Sequence, residues 1–448
     1  MNDTICAIST ALGVGAISVI RVSGSDAISK VAKLFDGKNL LDAPSHTIHY
    51  GHIVSNKEVI DEVLVTVLKA PKTYTKEDIV EINSHGGIST TKKVLEILIE
   101  NGIRLAEPGE FTKRAFLNGR LDLSQAEAVN SLIKSRTDLE RKLALNGLSG
   151  KISKKINKVR GIIVELLANI EVNIDFPEYE DALEITLENL PPKLREIKKE
   201  LESLLEESNI GKIVENGIKV AIIGRPNVGK SSILNAMLKE NKAIVTDIAG
   251  TTRDIVEGEV ELKGIALKFI DTAGIHKTED VVEKIGVDKS LEMMNLADLV
   301  ILVLNNNEEL TEEDKELLEK IKEKTHIIFI NKNDLPTKLE LNEKEIVKGN
   351  TIDLDGLNEL KNKIVELFDL EKINNSNLEV VSSAREIGLI KEALNSINGA
   401  LNNASSALPV DMIAIDIKKA WDLLGEITGE AYQDELLDTL FSKFCLGK

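Results

Sequence analysis

The sequence predicts a multidomain chain of mixed α/β and α+β character, and three observations carry that prediction. Residues 1–120 interleave apolar β-rich runs (AISVIRV, EVLVTVL, DIVEI) with a helical run at 90–101. From Leu121 the pattern turns helical, and helices resume after the polar break INNSN at 373–377. Between them, strands alternate with amphipathic helices, the mark of a parallel sheet covered on both faces. The expected layout is an N-terminal α+β domain at 1–120, a discontinuous helical domain at 121–213 and 373–448, and an inserted α/β domain at 214–372. A helical run of about 70 residues makes a thin core alone, so the two helical segments are expected to pack together.

Each part follows from its residues. SQAE at Ser124–Glu127 reads as a capping box, the serine oxygen taking an amide and the glutamate reaching back. The helical segments that follow are expected to break at DFPEYED and LPPK, where proline forbids continuation. IKVAIIG reads as a buried strand, and ALKFI and HIIFI read as strands. No stretch approaches ~20 consecutive apolar residues, so no membrane span is expected. The start MNDTICAIST lacks a basic segment, which argues against a secretory signal; Cys6 and Cys445 are then expected to be reduced thiols in a cytoplasmic protein. The formal charge of −18 counts against a general nucleic-acid coat. Residues 134–160 nevertheless hold nine Lys/Arg against Asp138 and Glu140. That run reads as a solvated helix face, with a polyanion contact as the alternative.

GRPNVGKS at 224–231 fits G-x-x-x-x-G-K-S, after a strand and before the helical SILNAML. Its candidate GTP-binding residues are Asn227, Val228, Gly229, Lys230 and Ser231, with Ser232 following. Glycines let backbone amides approach phosphate oxygens, Lys230 brings an ammonium to the β/γ-phosphates, and Ser231 offers a hydroxyl to Mg²⁺. TDIAGTTRD at 246–254 reads as the first switch, with Thr246, Asp247, Ile248, Ala249, Gly250, Thr251 and Thr252; Thr252 is placed to bind Mg²⁺. DTAG at 271–274 follows a strand. Asp271 would hold a metal-bound water and Gly274 would donate an amide to the γ-phosphate, with Thr272 and Ala273 between. In NKND at 331–334, Asp334 accepts both guanine N1–H and N2–H₂, which adenine cannot offer, and Asn331 and Lys332 brace the loop. In this order the motifs predict GTP rather than ATP. The fifth loop belongs near GNTID at 349–353, where a Ser-Ala signature is absent. SSAR at 382–385 lies beyond the helical GLNELKNKIVELF and is read as a decoy. Where many small GTPases carry a water-orienting glutamine, this chain has Ile275 and then His276, so another residue must orient the water.

Taken together, GRPNVGKSS, AIVTDIAGTTRD, DTAGIHKTEDVVEKIG and NKND resemble the MnmE (TrmE) family, GTPases that modify the wobble uridine of tRNA. GVGAISVIRVSG (13–24), YTKEDIVEINSHGG (74–87), EPGEFTKRAFLNGRLDLSQAEAV (107–129), IDFPEYE (174–180) and the terminal FCLGK follow in the family's order, over essentially the whole chain. The resemblance implies a Ras-like P-loop GTPase fold for the inserted domain. It implies a K⁺ ion held by Asn227, by the carbonyls of Thr246 and Ile248, and by Thr251, standing where an arginine finger acts elsewhere. It makes Glu283, in VEKIG, the catalytic glutamate that acts on the water by way of a second water. Spacing alone would read Glu283 as a solvated helix charge.

At the N-terminus the resemblance implies a folate-binding, dimerising domain, with Arg21, Glu81, Arg120 and Lys448 at folate-contact positions. The bound form would be 5,10-methylene- or 5-formyl-tetrahydrofolate. The tail must then fold back towards this domain, setting Cys445 and Lys448 at the one-carbon site and using Gly447 for a close backbone approach. Whether Cys445 acts as a nucleophile stays open at this point. The activity implied is that of a K⁺-stimulated GTPase, a homodimer working with an MnmG (GidA)-type flavoprotein in a heterotetramer. Together they would add an aminomethyl or carboxymethylaminomethyl group to C5 of the wobble uridine of certain tRNAs. The alternative is a regulatory GTPase of ribosome assembly, which has no use for a folate pocket. The chain departs from the family pattern at Ala11–Leu12, at His276 and at the fifth loop, the last implying weak guanine affinity.

Overall fold

The computed structural model describes residues 3–175, 180–240, 256–270, 292–350, 356–406, 408–430 and 434–447. The chain forms two compact units. One comprises Met1–Asn130, Leu148–Lys199 and Leu389–Lys448; the other comprises Ser131–Gly147 and Glu200–Gly388.

In the first unit, seven strands form one sheet: β1 (Ile5–Ile8), β2 (Ile17–Ser23), β3 (Phe35–Gly37), β4 (Thr47–Ser55), β5 (Glu58–Leu68), β6 (Ile79–His85) and β7 (Arg104–Leu105). Their order is β3-β4-β5-β6-β2-β1-β7, antiparallel except for the β1–β7 pair. Alternation sorts β5: Val63, Val65 and Val67 enter the core with Val94, Ile97 and Leu98 of helix Ile88–Glu100. The β4–β5 hairpin turns on Asn56 and Lys57 at φ 50° and 68°, both left-handed, as the right-handed strand twist requires. On the opposite face Ile48, Tyr50 and Leu64 stand exposed, and Tyr50 faces Leu64 across the ladder.

Helix Lys151–Asp175 buries Ile156, Val159, Ile163, Leu166 and Ile170, a helical spacing, and packs on helix Val410–Thr428. Arg160 lies 4.4 Å from the Trp421 ring and pairs with Glu430 at 2.6 Å. Farther along, Leu437, Phe441 and Phe444 join Phe116, Leu123 and Ala126 in one apolar cluster.

In the second unit, β8 (Ile218–Ile223), β9 (Val256–Leu262), β10 (Ile265–Ile270), β11 (Leu299–Asn305), β12 (His326–Asn331) and β13 (Ile346–Lys348) form a sheet ordered β13-β12-β11-β8-β10-β9. Every pair is parallel except β9–β10. All seven residues of β11 are buried. Ile301 and Val303 face one core, while Val300, Leu302 and Leu304 face the other. That two-sided burial is why these strands print as unbroken apolar runs.

Two local expectations are corrected. The capping box sits two residues earlier than SQAE: Gln125 N–H donates to Asp122 Oδ1 at 2.8 Å, and Asp122 N–H donates to Gln125 Oε1 at 3.0 Å. With Asp122 as the cap, Leu123 is the first helical residue and is fully buried. Second, LPPK does not end a helix, since Pro191 and Pro192 lie inside helix Glu180–Asn216. A proline costs about 3 kcal/mol in a helix interior. The flanking Leu190, Leu194, Ile197 and Leu201 are buried, at about 1.5–3 kcal/mol each, and hold the helix across it. The basic run keeps the solvated face expected of it, six of its nine Lys/Arg being exposed, and the ion pairs it makes lie mostly at the surface. Arg136 pairs with Glu259 at 2.6 Å, Arg141 and Lys142 pair with Asp138, and Arg160 is taken as above.

Candidate functional site

The phosphate loop joins β8 to helix Lys230–Glu240. Its backbone is unusual at three residues: Gly224 at φ 139°, Asn227 at 64° and Gly229 at 105°. A Cβ on Gly224 would stand 2.5 Å from Val303 O, so only glycine fits. Asparagine is among the few side chains that tolerate the left-handed region. Lys230 Nζ donates to the carbonyls of Gly224 at 2.7 Å and Arg225 at 2.8 Å. Burial, the main influence, pushes this ammonium below the usual lysine range. A half-sequestered cation, a loop shaped by positive φ and a helix N-terminus together suit a polyphosphate. Ser231 and Ser232 are the second and third residues of that helix.

The base loop follows β12. Asn331 is buried and its Nδ2 donates to Val228 O at 2.8 Å, tying this loop to the phosphate loop. Lys332 holds φ 60°, and Asp334 is exposed beyond it. Asn333 N–H donates to Gly349 O at 3.2 Å, and Gly349 N–H to Ile330 O at 2.9 Å. The residues after β13 therefore abut the base loop, and residues 351–353 of GNTID lie outside the described residues. SSAR instead opens helix Ala384–Ser405, with Ser383 O accepting Ile387 N–H at 3.0 Å. Thr246, Asp247, Ile248, Ala249, Gly250, Thr251, Thr252, Asp271, Thr272, Ala273, Gly274, Ile275, His276 and Glu283 all lie outside the described residues, as does Lys448.

A second cluster gathers in the first unit. Arg21 on β2 pairs with Glu81 on β6, opposite it in register, at 2.9 Å. The Arg21 guanidinium sits 5.6 Å from both the Tyr74 and Phe111 rings. Arg120, another candidate contact, stacks 4.6 Å from the Tyr74 ring and donates to Tyr74 O at 3.1 Å. The tail reaches this place. Gly447 O accepts from Ser9 Oγ at 3.2 Å and lies 3.5 Å from Arg21 Nη1, and Cys445 O accepts Gly109 N–H at 3.3 Å. A Cβ on Gly447 would stand 2.4 Å from Ile8 O, and its φ is 86°. The Cys445 thiol is exposed and free. Cys6 is buried, and desolvation pushes its thiol up to about 12, so it stays protonated.

A family model for the MnmE helical domain matches residues 123–445, and one for the GTP-binding protein TrmE N-terminus matches residues 4–120. The tRNA modification GTPase MnmE of Bacillus cytotoxicus is 52% identical over 455 residues, covering 100% of this chain and 99% of the relative. That of Bacillus thuringiensis is also 52% identical, and that of Bacillus mycoides 51%, at the same coverage. The chain belongs to the MnmE family of tRNA modification GTPases.

In this MnmE-family chain, sequence reasoning passed over Tyr74, Phe111 and Ser9, which complete the Arg21 cluster. Tyr74 and Phe111 lie inside YTKED and EPGEFTK, so the signal was an aromatic residue within a polar run. No described helix is long and apolar enough to cross a membrane.

Proposed function

We propose that this MnmE-family GTPase is a K⁺-stimulated enzyme. It works with a flavin- and NADH-dependent MnmG-type partner to build an aminomethyl or carboxymethylaminomethyl group on C5 of the wobble uridine. The carbon comes from a tetrahydrofolate, 5,10-methylene or 5-formyl. The observation that carries this reading is the tail, whose Gly447 backbone lies against Ile8, Ser9 and Arg21. Arg21 and Arg120 are cations suited to folate carboxylates, Glu81 to the pterin's N–H edge, and Tyr74 and Phe111 to its ring faces. The exposed Ile48, Tyr50 and Leu64 support a homodimer formed through the N-terminal sheet.

In the nucleotide site, bound Mg²⁺ and K⁺ supply positive charge to the phosphates. Lys230 meets the β/γ-phosphates, Ser231 and Thr252 hold the Mg²⁺, and Asn227, Thr246, Ile248 and Thr251 hold the K⁺. Asp334 selects guanine. GTP hydrolysis in KCl should then exceed that in NaCl, at equal ionic strength, by at least ~10-fold, or ~1.4 kcal/mol of barrier. Equal rates in the two salts would remove the ion from the mechanism.

The test of the whole reading is nucleoside mass spectrometry of tRNA from cells lacking the protein. Wobble uridines should be unmodified, and the full chain should restore them. A chain ending at Phe444 should not restore them, yet should keep near-normal GTP hydrolysis. Cys445→Ser separates two roles for the tail, since serine is a far poorer nucleophile near neutral pH. Restoration by the serine variant would make the tail a packing and folate-contact element. Normal wobble uridines in cells lacking the protein would refute the enzyme and favour a regulator of ribosome assembly.

A further inference from the structure

Arg225, the second residue of the phosphate loop, has no part in the roles above, yet it is tied down at two points. Its Nε donates to Asp314 Oδ1 at 2.9 Å and its Nη2 donates to Glu308 Oε2 at 2.9 Å. Asp314 is buried and is already committed to a capping box: its Oδ2 accepts Thr311 N–H at 3.1 Å and Thr311 Oγ at 2.9 Å, opening helix Glu312–Ile321. Glu308 accepts as well from Asn305 Nδ2 at 2.7 Å, at the carboxyl end of β11. Asn305 is in register with Asn331 of β12, whose amide holds Val228 O. The loop is thus gripped at Arg225 by the segment and helix that follow β11, and at Val228 by the last residue of β12.

Two physical needs meet in this arrangement. Residues 224–229 carry three positive-φ positions and lie outside the sheet ladders, so the loop's shape depends on external contacts. Glu308 and Asp314 also place two carboxylates at the end of the sheet where an anion is to bind. Unpaired, they would repel the phosphates; charge-assisted bonds to Arg225 both fix the loop and offset that charge. We propose that Arg225 is a positioning residue, which through Glu308 and Asp314 holds the phosphate loop in its nucleotide-binding form and makes nucleotide affinity depend on segment 305–314. This rests on the reading of the site as a guanine-nucleotide site.

The experiment uses the full chain and N-methylanthraniloyl derivatives of GDP and of a slowly hydrolysed GTP analogue, read by stopped-flow fluorescence. Arg225→Gln should weaken both by about 10–100-fold, mostly through faster dissociation, as expected when charged hydrogen bonds are lost. Its kcat at saturating GTP should stay within about threefold, because the residue acts on the loop rather than on the reacting atoms. Glu308→Gln lies on a half-exposed side chain and leaves the capping box intact, so it carries the test should Arg225→Gln fold poorly. It should weaken both nucleotides several-fold, and the double variant should be no worse than Arg225→Gln alone, the mark of a shared contact. Unchanged affinity in Glu308→Gln, additive losses in the double variant, or a loss confined to kcat would each overturn the proposal. A parent chain that binds neither nucleotide would instead overturn the site reading beneath it.

Discussion

Glu283→Ala should hydrolyse GTP ~10²–10⁴-fold more slowly at saturating nucleotide and K⁺, with affinity for GTP nearly unchanged. The expectation begins with Ile275, an apolar side chain where a glutamine would orient water. Some other residue must align the nucleophile, and Glu283 is the carboxylate proposed for that role. It lies outside the described residues, so its weight here rests on kinetics. A residue acting on the water contributes in the transition state and not to ground-state binding, so the loss should fall in kcat. Glu283→Gln keeps the size and the hydrogen-bonding capacity but not the charge. If it recovers much of the rate, the side chain orients water; if it is as slow as alanine, the charge itself acts. Turnover equal to the parent in saturating K⁺ would return Glu283 to an ordinary solvated helix charge. A large loss of affinity would assign it to the structure of the switch.

The legible parts of this chain are those where burial is two-sided or where a motif carries its own chemistry. IKVAIIG and HIIFI coincide with β8 and β12 because both faces of those strands are buried, and ALKFI with β10, whose Leu267 and Phe269 enter one core. β9, an edge strand whose run Val256–Leu262 alternates glutamate with apolar residues and glycine, has no such signal. In β4 the histidines, tyrosine and glycine of TIHYGHIVS, Thr47–Ser55, hide a nine-residue strand, because only a tertiary partner tells which face is inward. The cap before Leu123 shows a different limit. Asp122–Gln125 and Ser124–Glu127 both fit the capping pattern, and the burial of Leu123 decides between them. At the nucleotide site the loop glycines and Lys230 are readable because phosphate chemistry leaves few alternatives. The grip of Arg225 on Asp314 spans 89 positions and leaves no local trace. The same holds for Arg21, whose neighbours Tyr74, Phe111 and Gly447 are collected from three separate parts of the chain.

Arg114→Leu should destabilise the first unit by about 3–5 kcal/mol, the cost of removing one partner from a buried ionic network. Arg114 is 1% exposed and is bonded on every side: Nη1 to Asp3 O at 2.8 Å and to Glu77 Oε1 at 3.2 Å, and Nη2 to Asp3 Oδ1 at 2.9 Å and to Glu110 Oε1 at 3.0 Å. Arg104 supports the same carboxylates, donating to Asp3 Oδ2 at 2.6 Å and to Glu110 Oε2 at 3.0 Å. Removing Arg114 leaves Asp3 and Glu110 to Arg104 alone and takes the paired arginine from Glu77, with Glu110 only 4% exposed. Leucine fills volume but returns none of those hydrogen bonds. Trp421 is the single tryptophan and lies in the same unit, so its fluorescence during urea unfolding reports the loss. The double variant Arg114→Leu with Glu110→Gln should recover part of it, because the penalty is the orphaned charge. The pH dependence fixes the sign. The Arg104 hydrogen bond, chief among several influences, holds the Asp3 carboxyl below its usual range. For Glu110, burial is the largest influence and pushes upward, but bonds from Arg104, the Glu107 amide and Arg114 outweigh it, so it too is lowered. Carboxylates depressed in the folded state contribute stability above their unfolded values, about 3.9–4.3, which is lost as pH falls through the folded ones. The parent should therefore lose stability in acid more steeply than Arg114→Leu, and the gap between them should narrow below about pH 4. A gap that is small at pH 7, or that stays constant through that range, would show that Arg114 contributes packing rather than charge pairing.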